Sequence, residues 1–181
     1  MNKTRQWSAA AVVALVSCSG AALANGIAGV TFEGNGCETG TVGMSISTDR
    51  QVMTLIFDEF IATVGPDLPA SEGDQDCRVV IAMQTDESRD MSVQSRGFVQ
   101  LPFGMSAHQQ QHIPRGKNSN LVTQFSAPVS RDYFSASTAK VLAQGKSPGT
   151  VTIQLRIGVD PGSNTTGMGQ ITLDSLDVKL Q

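Results

Sequence analysis

The sequence predicts an all-β protein, an antiparallel two-sheet sandwich of jelly-roll type. Three observations predict it. Apolar residues recur at every second position along most of the chain, as in strands with one buried face. The runs are separated by clusters of Gly, Pro, Asn and Asp, and Gly alone reaches 18 in 181 residues. Neither an internal repeat nor a linker divides the chain, whose length suits one domain. A closed barrel is the alternative architecture.

The chain opens with Lys3 and Arg5, an apolar run from Ala9 to Val16, and the small-x-small triplet Ala22-Leu23-Ala24. Together these read as an export signal over residues 1–24, cleaved after Ala24. The run is far shorter than the roughly 20 residues of a membrane span, so no transmembrane anchor is expected. In the alternative, Leu15-Val16-Ser17-Cys18 acts as a bacterial lipobox and Cys18 becomes the lipid-carrying first residue. Cleavage after Ala24 leaves residues 25–181 with 11 basic and 16 acidic residues, net −5, and no Trp. That balance offers no electrostatic footprint for nucleic acid.

Eight to ten strands are expected beyond that point. Ile27, Val30 and Phe32 mark an imperfect first strand, a candidate donor strand for a neighbouring molecule. Gly34-Asn35-Gly36 reads as a tight turn with positive φ that positions Cys37. Val42, Met44 and Ile46 alternate, the turn Thr48-Asp49-Arg50 follows, and Val52 to Phe57 completes a hairpin. Residues 65–76 form a long connection. Cys77, Val79, Ile81 and Met83 line one face of the next strand. Thr85 to Asp90 is turn material before a return strand from Met91 to Leu101.

Ser106 to His112 reads as a polar strand and residues 116–120 as a second connection. Residues 126–149 are mixed, with Ser137 to Gln144 expected as one or two helical turns ending at Gly145. Val151, Ile153, Leu155, Ile157 and Val159 give the clearest alternation in the chain. A third connection runs from 160 to 169. In the last segment the phase slips: Ile171 and Leu173 share one parity, Leu176, Val178 and Leu180 the other. One extra residue near Asp174-Ser175, a β-bulge, would keep all five on the core side.

Either cleavage leaves Cys37 and Cys77, which in an oxidising compartment are expected to form one disulfide. Closing a loop of that size contributes about 4 kcal/mol in the chain-entropy model. Two free thiols are the alternative. A zinc site built with His108 and His112 lacks a CxxC knuckle.

Catalytic signals are missing. There is no G-x-S-x-G pentapeptide, P-loop or G-x-G-x-x-G between strand and helix. On a strand, His108 and His112 share a face, either a surface metal site without an identified third ligand or a solvated Gln/His face. Asp58 and Glu59 are adjacent and face opposite ways, unsuited to cooperative hydrolysis. Glu72, Asp74 and Asp76 alternate in a Gly-containing loop and form a candidate structural calcium site, with solvated loop acids as the alternative. Asp160, Asn164 and Asp174 are a second candidate set. Asn164-Thr165-Thr166 is a formal glycosylation sequon. Arg96 and Tyr133 are candidate ligand-binding residues, since Tyr133 and its neighbour Phe134 offer the aromatic surface on which sugar rings stack.

Several stretches together carry a family resemblance: Gly34-Asn35-Gly36-Cys37, Gly40-Thr41-Val42, Leu55-Ile56-Phe57-Asp58-Glu59-Phe60, Val64-Gly65-Pro66, Ser71, Cys77 and Arg96-Gly97-Phe98-Val99-Gln100-Leu101. The chain resembles the domain of unknown function 4360 family of small secreted bacterial and fungal proteins from about residue 34 onward. The resemblance implies a secreted β-rich domain and the Cys37–Cys77 pairing, and brings no activity. The chain departs from that pattern in having no further cysteine, and fewer aromatics, in its C-terminal half. Gln170-Ile171-Thr172-Leu173-Asp174-Ser175-Leu176 is also similar to the closing strand of jelly-roll carbohydrate-binding modules.

Two functional classes lead. One is an exported non-enzymatic module that binds envelope or extracellular polysaccharide. The other is a structural, self-assembling subunit of a cell surface, matrix or pilus, joined through sheet edges. An inhibitor or effector acting through loops 65–76 or 160–169, and an enzyme with a site assembled from separated acids, complete the set.

Overall fold

Alternation along the chain becomes two antiparallel sheets whose inner faces share one core. The computed structural model describes residues 25–114, 120–143 and 149–181. The export signal over residues 1–24, the Cys18 alternative and most of the 116–120 connection lie outside the described residues. The strands are β1 (Gly26–Glu33), β2 (Val42–Ile46), β3 (Val52–Phe57), β4 (Ile61–Val64), β5 (Asp74–Gln84), β6 (Arg89–Leu101), β7 (Ser106–His112), β8 (Asn120–Ser126), β9 (Val129–Val141), β10 (Gly149–Asp160), β11 (Gly169–Thr172) and β12 (Ser175–Leu180). A short 3-10 turn at Ala70–Gly73 precedes β5.

The five-stranded sheet has the order β1-β5-β10-β7-β8. The seven-stranded sheet has the order β2-β3-β12-β6-β11-β4, with β9 paired to the other side of β6. This is the two-sheet sandwich the alternation predicts. The expected inward sets hold: Cys77, Val79, Ile81, Met83, Met91, Val93, Val99, Leu101, Ile153, Leu155 and Ile157 are all buried. They pack as one cluster drawn from both sheets, and this apolar burial is the main favourable term in folding.

Three features tie the frame together. Cys37 and Cys77 form a disulfide with Cα atoms 5.6 Å apart. Gly34 has φ +138°, and a Cβ there would stand 2.3 Å from the Asp76 carbonyl oxygen, so the turn needs glycine. Asn35 completes the clamp: its Oδ1 accepts from the Asp76 amide at 2.7 Å.

The third feature is the phase slip. Ile171 pairs with Val99 and Ser175 with Arg96, so four steps on this side match three on β6. That is the one-residue surplus of a bulge, set at Thr172–Asp174, and it divides the segment into β11 and β12. All five apolar residues, Ile171, Leu173, Leu176, Val178 and Leu180, are buried. The bulge is held by side chains: Tyr133 Oη donates to the Thr172 carbonyl at 2.6 Å, and Thr172 Oγ1 accepts from the Phe98 amide at 3.0 Å.

Five expectations change, the first being the strand count, which is twelve among the described residues where eight to ten were expected. The helical turns expected from Ser137 are instead the end of β9, in which Tyr133, Ser135, Ser137, Ala139 and Val141 are buried in alternation; small Ser and Ala residues hid the period of two. Residues beyond 143 in that reading lie outside the described residues. β5 begins at Asp74, earlier than expected, because Asp74 and Asp76 alternate with the strand and not with the loop. β2 has the right parity, with Met44 opposite Leu55, yet Met44 is 53% exposed because β2 ends the sheet and no described residue covers it. Finally, β1 is paired with β5 of its own chain; a register shift between Ile27 and Gly29 accounts for its imperfect alternation.

Candidate functional site

The outer face of the five-stranded sheet brings acids, amides, imidazoles and arginines side by side. Register places them in rows across the strands. Asp74, Gly158, His108 and Gln124 are opposite one another; so are Asp76, Arg156, Gln110 and Val122; and then Glu33, Arg78, Gln154, His112 and Asn120. His108 and His112 thus share the solvent face of β7, as the sequence implied, with Gln110 between them.

Gly158 explains how the first row packs. A Cβ there would meet His108 Cε1 at 2.5 Å, so the missing side chain lets the imidazole lie over β10. The sequence placed Gly158 on the polar face of its strand without assigning it a purpose; a glycine inside so regular a strand was the available signal.

Arg156 reaches diagonally past Asp76 to Asp74, the neighbour that alternation brings within reach. Its Nε donates to both carboxylate oxygens, at 2.8 and 3.1 Å, and its Nη2 donates to Oδ2. This bidentate contact holds the Asp74 carboxyl below the usual carboxylate range against a partial burial that opposes it, and His108 adds to the depression. The Arg156 guanidinium is correspondingly raised. Arg78 and Glu33 form a second ion pair at 2.8 Å.

Two clefts open on this face. One, of about 510 Å³, lies at the end of the sheet between the chain from Val64 to Gly73 and the loop from Asp160 to Gly167, with Asp74, His108 and Gly158 as its floor. Its walls mix Leu68, Pro69 and Pro161 with Asn164 and Thr165. The other, of about 440 Å³, lies beside it over Asp76, Arg78, Gln110, His112, Gln154 and Arg156. The 160–167 loop is internally fixed: Asn164 Oδ1 accepts from the Gly167 amide at 2.7 Å while its Nδ2 donates to the Phe103 carbonyl at 2.7 Å.

The opposite face differs. Arg96 and Tyr133, the candidate ligand residues, border one shallow depression with Phe134, Asp132 and Asp174. Only Arg96 faces outward, 6.0 Å from the ring centroid of Phe134. Tyr133 turns inward, packs against Phe125 at 5.0 Å and closes the bulge, and burial pushes its phenol well above the ordinary range, with Asp174 adding to the shift. The exposed aromatic here is Phe134, 55% accessible.

The residues 25–181 match the family described as domain of unknown function, DUF4360. The chain belongs to that family. Among similar proteins, an "Uncharacterized secreted protein" of the fungus Arthroderma benhamiae is 30% identical over 165 residues, 86% of this chain and 67% of the relative. Among solved structures, an enzymatically active domain of bacteriophage CBA120 tailspike protein 4 resembles 84% of this chain with 19% of its own length, at TM-score 0.32 and 10% identity. The C-terminal CBM6 of the laminarinase LamC from Zobellia galactanivorans gives TM-score 0.29 at 10% identity, covering 83% of this chain and 99% of that module. A TmCBM61 module in complex with β-1,4-galactotriose gives 0.30 at 8%, covering 87% and 90%. At such scores the likeness fixes neither topology nor ligand.

Within this DUF4360 fold the predicted acids are separated in role. Asp74 is held by Arg156, Asp76 stands beside it on β5, and Glu72 sits on the 3-10 turn. Among the described residues no three of His, Cys, Asp and Glu converge as metal ligands. Asp160 accepts from the Gly162 amide at 2.9 Å and Asn164 serves its own loop, whereas Asp174 belongs to the other sheet, so the second set is not a cluster. Gln109 and Gln111, unremarked in the sequence, point inward. Ser135 Oγ donates to Gln109 Oε1 at 2.8 Å and Gln111 Nε2 donates to Ser137 Oγ. The signal that could have revealed them was the Ser residues at core parity in β6 and β9.

Proposed function

We propose that this DUF4360 protein is exported and acts as a non-catalytic binding module for envelope or extracellular polysaccharide, with the loop-walled cleft at the end of the five-stranded sheet as its site. The observation that carries the reading is the lining of that cleft. Apolar Leu68, Pro69 and Pro161 face the floor of Asp74, His108 and the Asn164–Thr165 wall, a surface that suits a ligand with C–H faces and hydroxyl edges. Export is supported by the signal pattern, by the disulfide and by the secreted relative. The missing catalytic motifs support binding without turnover.

The test is retention of oxidised residues 25–181 on insoluble polysaccharides and envelope preparations, with soluble competitor sugar. His108→Ala is expected to lower retention several-fold with the melting temperature unchanged. Retention that ignores both competitor and His108→Ala would overturn the assignment. Repeating the assay in calcium and in chelator tests the Glu72, Asp74 and Asp76 candidate site, and Arg96→Ala tests the opposite face.

Self-assembly through a sheet edge is the second reading. Its supporting observation is β9, thirteen residues long and paired along its length with β6 alone among the described strands. Light scattering that shows concentration-dependent oligomers would favour it.

A further inference from the structure

We propose that the two clefts on the five-stranded sheet are one extended groove, and that its ligand is an uncharged polysaccharide held along its length and not by its end. The proposal rests on the polysaccharide reading above and adds the path and charge of the ligand.

Continuity comes from the register. Gly158 belongs to the floor of the first cleft, and Arg156 and Gln154 to the second. These are successive outward positions of β10, so the floor runs unbroken for about 13 Å along that strand. The Arg156–Asp74 pair marks the junction of the two clefts, Asp74 lining the first and Arg156 the second. Each cleft alone, about 510 and about 440 Å³, is near the lower part of the range for one small ligand. A polymer crossing both would use Asn164 and Thr165 at one end and Gln110, His112 and Gln154 at the other.

Charge narrows the class. The two arginines of the groove are already engaged, Arg156 by Asp74 and Arg78 by Glu33. Asp76 and Asp160 add negative charge without a cation of their own among the ion pairs of the described residues. An anionic polymer would therefore meet carboxylates and no uncommitted guanidinium, and would have to break an ion pair to gain one. Amide and imidazole groups, which both donate and accept, remain for a hydroxyl-rich neutral chain.

The experiment is affinity electrophoresis of the oxidised protein in gels containing laminarin, xylan, galactan or dextran as neutral probes and alginate or hyaluronan as acidic ones, followed by calorimetry with an oligosaccharide series from the retained polymer. Expected are retardation by a neutral polymer, none by either polyanion, and affinity that rises at least tenfold from disaccharide to hexasaccharide. Gln154→Ala combined with His112→Ala should weaken the hexasaccharide about tenfold, leave the disaccharide within twofold and leave the melting temperature unchanged. Retention of a neutral polymer with equal affinity for disaccharide and hexasaccharide, or equal retardation by alginate, would overturn the groove while the polysaccharide reading stood. Retardation by none of the probes would overturn both.

Discussion

The two outer faces of the sandwich arise from the same alternation and are chemically unlike. On the five-stranded sheet the outward positions beneath the clefts are mostly acids, amides, imidazoles and arginines, and Arg156 pairs diagonally with Asp74. On the seven-stranded sheet many outward positions are small hydroxyl residues, such as Ser45, Thr54, Ser92, Thr138 and Ser175. Arg96 and Phe134 stand above them beside one shallow depression. The difference teaches where to look for recognition in an aromatic-poor domain. Polar side chains become a site when turns and loops wall them in, whereas an isolated exposed ring on a flat sheet is only a contact.

The largest test concerns the covalent tie behind the polar face. Cys77 begins the buried run of β5 whose outward residues floor the groove. Replacing both cysteines, Cys37→Ser with Cys77→Ser, should cost about 4 kcal/mol in urea unfolding of the otherwise identical chain. An unchanged midpoint would show that the polar face does not depend on that staple. Next is Gly97→Ala on the other sheet, where the new Cβ would stand 2.0 Å from the Thr172 carbonyl oxygen and 2.7 Å from Tyr133 Oη. A loss of about 3 kcal/mol is expected. Gly43→Ala, whose nearest neighbours are 3.8 and 3.9 Å away, should stay within about 0.5 kcal/mol. Equal effects of the two alanines would remove the bulge from the account.

Tyr133→Phe sharpens the same contrast. It removes the donor to Thr172 and should cost about 1 kcal/mol, while Arg96→Ala, at the exposed rim of the same depression, should hardly change stability. The smallest effect belongs to the ion pair of the polar face. Asp74 has a folded-state pKa below its unfolded value, so its stabilisation is complete above pH about 4 and fades as pH falls through the lowered value. With both partners around half exposed, the pair contributes less than about 1 kcal/mol. Asp74→Asn should therefore differ from the unmodified protein at pH 7 and converge with it in acid; a difference that grows in acid would reverse the assigned sign.

The architecture was legible because period two survives wherever the inward residues are large, as from Val151 to Val159. It was lost in β9, where Ser135, Ser137 and Ala139 face the core; across the sheets the Ser135 hydroxyl pairs with Gln109 and Thr123, and that of Ser137 with Gln111. The disulfide was legible from two cysteines and a compartment. The site was less so. Asp74, Asp76, His108 and His112 each stand out in the sequence, but their grouping depends on β5, β10 and β7 lying side by side, and no local pattern reports strand order. Arg96 and Tyr133 have the chemistry of ligand-binding residues, but the alternation of β6 and β9 turns one outward and the other in.

The surplus residue at Thr172–Asp174 also sets how the chain length can vary. Connections at the sandwich ends have room to gain or lose a residue, since the strands they join keep their own registers. A deletion between Thr172 and Ser175 has no such freedom. Keeping β12 in its pairing would leave Leu173 without a place, and keeping β11 continuous would turn Leu176, Val178 and Leu180 to the solvent together. Descendants of this gene should therefore differ freely in length at several loops and hardly at all in the three residues that separate its last two strands.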